Sequence, residues 1–471
     1  MPTVDELRWL DATATAELVR RGELSSREVV EAAIARIERL NPALNAVIAP
    51  TYEAARAALD RLPAAAPLRG VPFLLKDLTV EQAGLPYWMG NRALRERDHR
   101  SASDTVLGAR FRAAGLVTLG KTNTPEFGPQ PTTQPLACGP THNPWQLAHS
   151  AGGSSGGSCA AVAAGLVPIA HANDGGGSIR LPASWCGLVG LKPSRGRTAA
   201  RAGEVNRNVV EHVVSRSVRD TALALDCVHG AAPGELYVAP PPARRFAAEV
   251  GAPPPPLRIG LLTRAPHAET HAECVAAAER AAHRLASLGH QIEPAWPQAL
   301  FDADVPERTA ALWAVGSAVD VDNLAERLGR AITADDVEPY TWAMAAYARR
   351  FSGAEIIRAM EVQQRYAERV AQWWSSGFDL LLTPTTTEPP PRLEELVPAA
   401  DRPLRIGRRF AAISAFTIPF NVTGQPAISL PLHWSADGLP VGVQLVAAYG
   451  REDLLLRVAA QLEDWETKHP A

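Results

Sequence analysis

Apolar residues recur at helical spacing through SSREVVEAAIARIERL, which opens on serines suited to cap a helix, and again through TYEAARAALDRL. The span from about Thr13 to Leu62 therefore predicts a helical entry with no strand. Two short apolar runs follow, GVPFLLKD and GLVTLGKTN, each ending in a lysine and a polar residue and separated by the helical pattern SDTVLGARFRAAG. Strands alternating with helices predict an α/β fold: a central mixed, mostly parallel sheet covered by helices on both faces. In such sheets functional groups gather at the carboxyl ends of strands.

Between Ser150 and Arg197 glycine and serine surround the helix-like segment CAAVAAGLVPIA, and from about Ala231 to Leu257 proline-rich sequence reads as a surface connection. Ala276 to about Trp374 is helical in pattern. FDLLLTPTT, PAISLPL and GLPVGVQLV then return to strands, and REDLLLRVAAQLEDW closes with a helix. No internal repeat is visible. The chain is expected to form one domain: a helical entry (1–65), a catalytic core (66–230), a largely helical variable region forming the substrate pocket (231–375), and core-completing strands with a last helix (376–471).

Composition narrows the function. The 471 residues are 46% apolar, enough to bury a sizeable core. The first residues carry acids where a signal peptide carries basic residues, and no apolar run approaches the roughly 18 to 20 residues of a membrane span, so a soluble cytoplasmic protein is expected. A net charge of -3 gives no reason to expect nucleic acid or an anionic membrane as partner. The five cysteines show no metal spacing and read as free thiols, so neither metal nor cofactor is expected. Of the 47 basic residues only four are lysine, namely Lys76, Lys121, Lys192 and Lys468. Arginine cannot give up its proton in a protein, whereas a buried lysine can become a base, so the retained lysines are candidate functional sites. Lys468, in the polar tail, is read as chance.

The Gly/Ser region carries the candidate chemistry. Gly175, Gly176, Gly177 and Ser178 can form a cup of backbone N–H donors for the negative charge of a tetrahedral intermediate, a term in which one donor is worth roughly 3 to 4 kcal/mol. A flexible linker would be polar throughout, and this region is interrupted by apolar segments that must pack. Three other readings compete. GLVTLGKT, from Gly115 to Thr122, matches the phosphate-loop pattern, but its LVTL is itself a strand where an open loop is required. GGSSG, from Gly152 to Gly156, matches a nucleophile elbow, but no apolar strand precedes it, so a Ser-His-Asp esterase or hydrolase using His171 is the second enzymatic reading. A binding module without catalysis is the third.

GGSSGGS, then DGGGSIR with Ser178 lying 24 positions after Ser154, then GLKP, together resemble the amidase signature family. GVPFLLKD resembles that family's lysine motif, and NVTGQPAISLP with GLPVGVQLV its closing motifs, so the likeness spans nearly the whole chain. The resemblance implies that Ser178 is the nucleophile of an acyl-enzyme mechanism, Ser154 the bridging serine after a cis peptide bond, and Lys76 the base. It implies that Ser155, Asp174 and Arg180 support the site, that Lys192 is structural, and that Lys121 in GKTNTPEFG backs the site without being the base. Two departures bear on the substrate: NDGGGS stands where Thr-Asp-apolar-Gly-Gly-Ser is usual, and GLPYWMGN lacks a common Thr/Gly/Ser run. HANDGGGSIR is most similar to the branch holding nylon-oligomer cyclic-dimer hydrolase and aryl-amide hydrolases. The expected substrate is a small aryl or apolar amide, with carbamate (urethane) cleavage as an extension. Tyr87, Trp88, Met89, Trp313 and Trp342 are candidate pocket residues. A glutamyl-tRNA amidotransferase A-type subunit is an alternative within the family, and the working unit is expected to be a monomer or homodimer.

Overall fold

The structure is a computed structural model that describes residues 7–201, 203, 205, 208–464 and 469–470; Lys468 lies outside the described residues. Eleven strands form one sheet: β1 (Val47–Pro50), β2 (Pro72–Lys76), β3 (Val117–Thr122), β4 (Ile169–Asp174), β5 (Val189–Lys192), β6 (Val210–Ser215), β7 (Arg258–Leu261), β8 (Gln291–Glu293), β9 (Leu380–Pro384), β10 (Ala427–Trp434) and β11 (Pro440–Ala447). Their spatial order is β1-β3-β2-β4-β6-β5-β10-β11-β9-β7-β8. The sheet is mixed, as expected. Its pairings are parallel for β2 with β3 and β4 and for β7 with β8 and β9, and antiparallel for the other six, so the parallel share is smaller than the βα pattern predicts.

Sequence periodicity located most elements. The entry helices form, and Ser25 caps Ser26–Leu44 in a reciprocal box with Glu28. The entry is not strand-free, however. VIAP becomes β1 because it pairs antiparallel with β3 at the sheet edge, a tertiary gain that its four residues cannot signal alone. The same reason accounts for β8 between the helices Ala272–Ser287 and Val305–Leu328.

Helices cover both faces, and β2 shows why its sequence is a continuous apolar run. Leu74 points into a core with Ile34, Ile37, Cys159 and Val162, while Phe73 and Leu75 point into another with Phe111, Ile169 and Val213. Alternate side chains thus meet opposite, equally dry layers, as expected of a strand buried on both faces. Each such side chain contributes about 1.5 to 3 kcal/mol by leaving water. The helix Gly156–Ala163 is buried around its whole circumference, which its small residues permit by close approach to β4.

Candidate active site

Lys76 is the last residue of β2 and Asp174 the last of β4, so two neighbouring parallel strands end at the same rim of the sheet. The Ser154 loop enters this rim from the start of the Gly156–Ala163 helix, and the Gly175–Ser178 run leaves it. The peptide bond between Gly153 and Ser154 is cis, as the resemblance implied. A side chain on Gly153 would lie 2.5 Å from the backbone of Thr132, so only glycine fits there.

The Lys76 amine is wholly buried, and it lies 2.6 Å from Ser154 Oγ, 3.0 Å from Ser155 Oγ and 2.5 Å from Asn173 Oδ1. Burial pushes its pKa down to about 7, against the pull of Glu211, Asp174 and Cys159. Near neutrality this amine can therefore lose its charge while in contact with a hydroxyl. Ser178 is half-buried, and its hydroxyl makes no hydrogen bond among the described residues. The Lys76–Ser154 contact is thus formed, while a Ser154–Ser178 hydrogen bond is not.

The glycine run is shaped from below. The Asp174 carboxylate accepts the N–H groups of Gly177 (2.7 Å), Ile179 (3.1 Å) and Arg180 (3.3 Å), and the Arg180 guanidinium grips it at 2.9 and 3.0 Å. Burial alone would raise the Asp174 pKa; Arg180, Lys192 and Asn421 outweigh it and hold the carboxyl well below the usual range. Gly177 adopts φ +133°, a region that glycine alone enters readily. Its N–H is held by Asp174, which removes it from the expected oxyanion cup. The N–H groups of Gly175, Gly176 and Ser178 donate to nothing among the described residues.

Trp313 lies over this run: a Cβ placed on Gly176 would come within 3.1 Å of its ring. It is 40% exposed, so a large aromatic side chain is partly open next to this run. Tyr87 is a correction. It is fully buried, its hydroxyl accepts from the Thr79 N–H at 3.1 Å, and its ring lies 5.3 Å from the Lys121 amine, so it supports the site from behind. Trp88 and Met89 are nearly buried in the same apolar cluster, and Trp342 packs against it half-buried.

The other lysines have structural surroundings. Lys121 donates to Val80 O at 3.3 Å and stands 3.9 Å from Asp77, and Lys192 donates to Pro193 O at 2.9 Å. His171, the alternative base, is fully buried with Nε2 2.9 Å from Glu211 and its ring against Phe111, and burial lowers its pKa well below the usual value. Asn173 opens the NDGGGS departure, to which the sequence attaches no role of its own, and Thr79, Thr417 and Asn421 are not among the residues the sequence singles out. Thr417 donates to Gly176 O at 2.7 Å and Asn421 to Asp174 O at 2.8 Å. NVTGQP was read as a closing motif, which was the available signal for Asn421.

Comparison with known proteins agrees with this architecture. The amidase family model matches residues 28–456. The chain is 47% identical to the 6-aminohexanoate-cyclic-dimer hydrolase of Paenarthrobacter ureafaciens over 98% of this chain and 96% of that one. The structure of a 6-aminohexanoate cyclic dimer hydrolase complexed with substrate superimposes with a TM-score of 0.95 at 45% identity, covering 98% of this chain and 99% of that one. A bacterial aryl acylamidase of the amidase signature family gives 0.86 at 28% identity, covering 97% and 96%. With the family model matching residues 28–456 and a relative 47% identical over nearly the whole of both chains, the chain belongs to the amidase family and is an amide hydrolase.

Proposed function

We propose that this amidase works through an acyl-enzyme, with Ser178 as nucleophile, Ser154 as proton relay and Lys76 as base. The observation that carries the proposal is the uncharged-capable Lys76 amine 2.6 Å from the buried Ser154 hydroxyl. As Ser178 Oγ bonds to the substrate carbonyl carbon, its proton passes to Ser154 and the Ser154 proton to Lys76. The oxyanion is received by the free N–H groups of Gly175, Gly176 and Ser178. When the C–N bond breaks, the leaving nitrogen takes the proton back along the relay. Water, deprotonated by the same route, then attacks the acyl carbon and releases the acid. The scheme needs the Ser178 hydroxyl to come within reach of Ser154 as a carbonyl enters, in the way catalytic hydrogen bonds tighten on substrate binding.

The substrate reading is a small, largely apolar amide, linear or cyclic, with aryl groups suited to the open face of Trp313. The relative's cyclic dimer of 6-aminohexanoate is the first compound to test. Aryl carbamates are an extension, since the same attack on a carbonyl serves both. Purified protein is incubated with that cyclic dimer, an anilide, a short primary amide and an aryl carbamate. Release of amine from at least one amide, abolished in Ser178→Ala, is expected; folded protein that turns over none of them would sink the reading.

A further inference from the structure

We infer that Asn173, locked in one orientation by Thr79, is a positioning residue that turns the lone pair of the Lys76 amine onto Ser154. The inference rests on the reading of Lys76 as base, and it follows from accounting for each proton in a closed group of hydrogen bonds. A neutral lysine amine has two N–H bonds and one lone pair, and three partners surround it: Ser154 Oγ, Ser155 Oγ and Asn173 Oδ1. Which partner meets the lone pair decides whether the amine can take a proton from Ser154.

Asn173 settles the first N–H. Its side chain could present either its oxygen or its nitrogen to Lys76, and the assignment has to come from the network. On its far side Asn173 Nδ2 lies 2.9 Å from Thr79 Oγ1, whose own proton goes to Leu78 O at 2.6 Å. With that proton engaged, Thr79 Oγ1 can only accept, so the Asn173 NH2 must face Thr79 and its oxygen must face Lys76. An amide oxygen cannot donate, so one Lys76 N–H is committed to it.

The two serines settle the rest. Ser155 has a second acceptor for its hydroxyl proton, Asn173 O at 3.2 Å, and can therefore receive the other Lys76 N–H. Ser154 is 1% exposed and its hydroxyl meets no other acceptor among the described residues. A buried O–H needs a partner, and the lone pair of Lys76 is the one left. The amine is thus aimed at Ser154 before any substrate arrives. Asn173 is bonded to a residue 97 positions away in the chain, Lys76, and to one 94 away, Thr79.

The test is the pH profile of covalent labelling by an alkyl fluorophosphonate, which requires no knowledge of the substrate. Ser178 Oγ bonds to phosphorus, fluoride leaves, and the Ser178 proton passes through Ser154 to Lys76. The charged and titratable groups facing the amine are Glu211 on β6, Asp174 and His171 on β4, and Cys159 on the Gly156–Ala163 helix. Asn173→Asp adds a carboxylate in direct contact. It favours the ammonium form, so the acid limb of the labelling rate should move up by about one pH unit or more. Thr79→Ala frees the Asn173 amide to flip and should slow labelling several-fold near neutrality, with Thr79→Ser restoring most of the loss. An acid limb unmoved in folded Asn173→Asp, or Thr79→Ser as slow as Thr79→Ala, overturns the inference. Lys76→Ala separates the two levels. If it labels as fast as the parent protein, the base assignment itself fails; if it is slow while the Asn173→Asp limb stays put, only the positioning role fails.

Discussion

Arg180 grips Asp174 through two hydrogen bonds of 2.9 and 3.0 Å, both side chains fully buried, directly under the Gly175–Gly177 run. The pair acts as a keel for the loop. Asp174 also holds the Gly177 and Ile179 N–H groups, while Arg180 reaches Gln444 at 2.8 Å and Asn421 at 2.6 Å in the closing strands and motif. Removing one partner leaves a buried charge uncompensated, so Arg180→Met should destabilise the protein by about 3 to 5 kcal/mol, measured by urea unfolding. Arg180→Lys should recover only part of this, because an ammonium cannot reproduce the two-pronged grip. A loss below about 1 kcal/mol would argue against the keel.

Lys76→Ala should lower kcat by about 10² to 10⁴-fold, the usual range for loss of a positioned base. Lys76→Arg should be no better, because a guanidinium stays charged. With the neutral amine as the proposed base, kcat/KM should rise with pH through about 7 and be lost below it. A Ser-His mechanism would leave Lys76→Ala largely active, and steady-state kinetics across pH 5 to 9 tells them apart.

Trp313→Ala should raise KM for an anilide by about tenfold, as expected for loss of one aromatic contact and its area, while a short primary amide changes little. The ratio of the two kcat/KM values is the readout. Equal loss on both substrates would move Trp313 from the pocket wall to loop support.

Glu338 lies beside the buried Glu126, whose carboxylate accepts the Glu338 N–H at 2.8 Å. Burial first and then the Glu126 charge push the Glu338 pKa up to about 8. A carboxyl raised in the folded state binds its proton more tightly there than when unfolded. Its contribution to stability is therefore full below about pH 4.5 and is lost as pH rises through about 8. Glu338→Gln keeps an acceptor for the Leu136 N–H and removes the charge, so it should raise Tm more at pH 8.5 than at pH 5. Equal shifts at both pH values in thermal melts would contradict the proton linkage.

Much of the site could be read along the chain. Lys76 stood out because lysine is scarce and this one ends a continuous apolar strand, and the glycine run preceding Ser178 implied a backbone cup whatever the fold. The aromatic residues were harder. Tyr87, Trp88 and Met89 follow the lysine strand closely and read as pocket residues, yet Tyr87 is core and its neighbours nearly so, because whether an aromatic ring faces a cavity or a packed layer depends on elements such as the helix Val305–Leu328 that arrive much later in sequence.

By itself the sequence determined the type of fold, and it singled out Lys76 and the glycine run before Ser178 as candidates. These follow from local periodicity, residue scarcity and backbone freedom, all of which are properties of short segments, whereas the roles of Ser154 and Ser178 in a relay rest on the family resemblance. Only the tertiary structure decided that the Gly177 N–H belongs to Asp174, that β1 joins the sheet, that Trp313 rather than Tyr87 stands open to the site, and that Asn173 faces Lys76. Each of these depends on which hydrogen-bonding groups meet across the fold once the sheet has closed, and no local pattern fixes the partner of a buried polar atom.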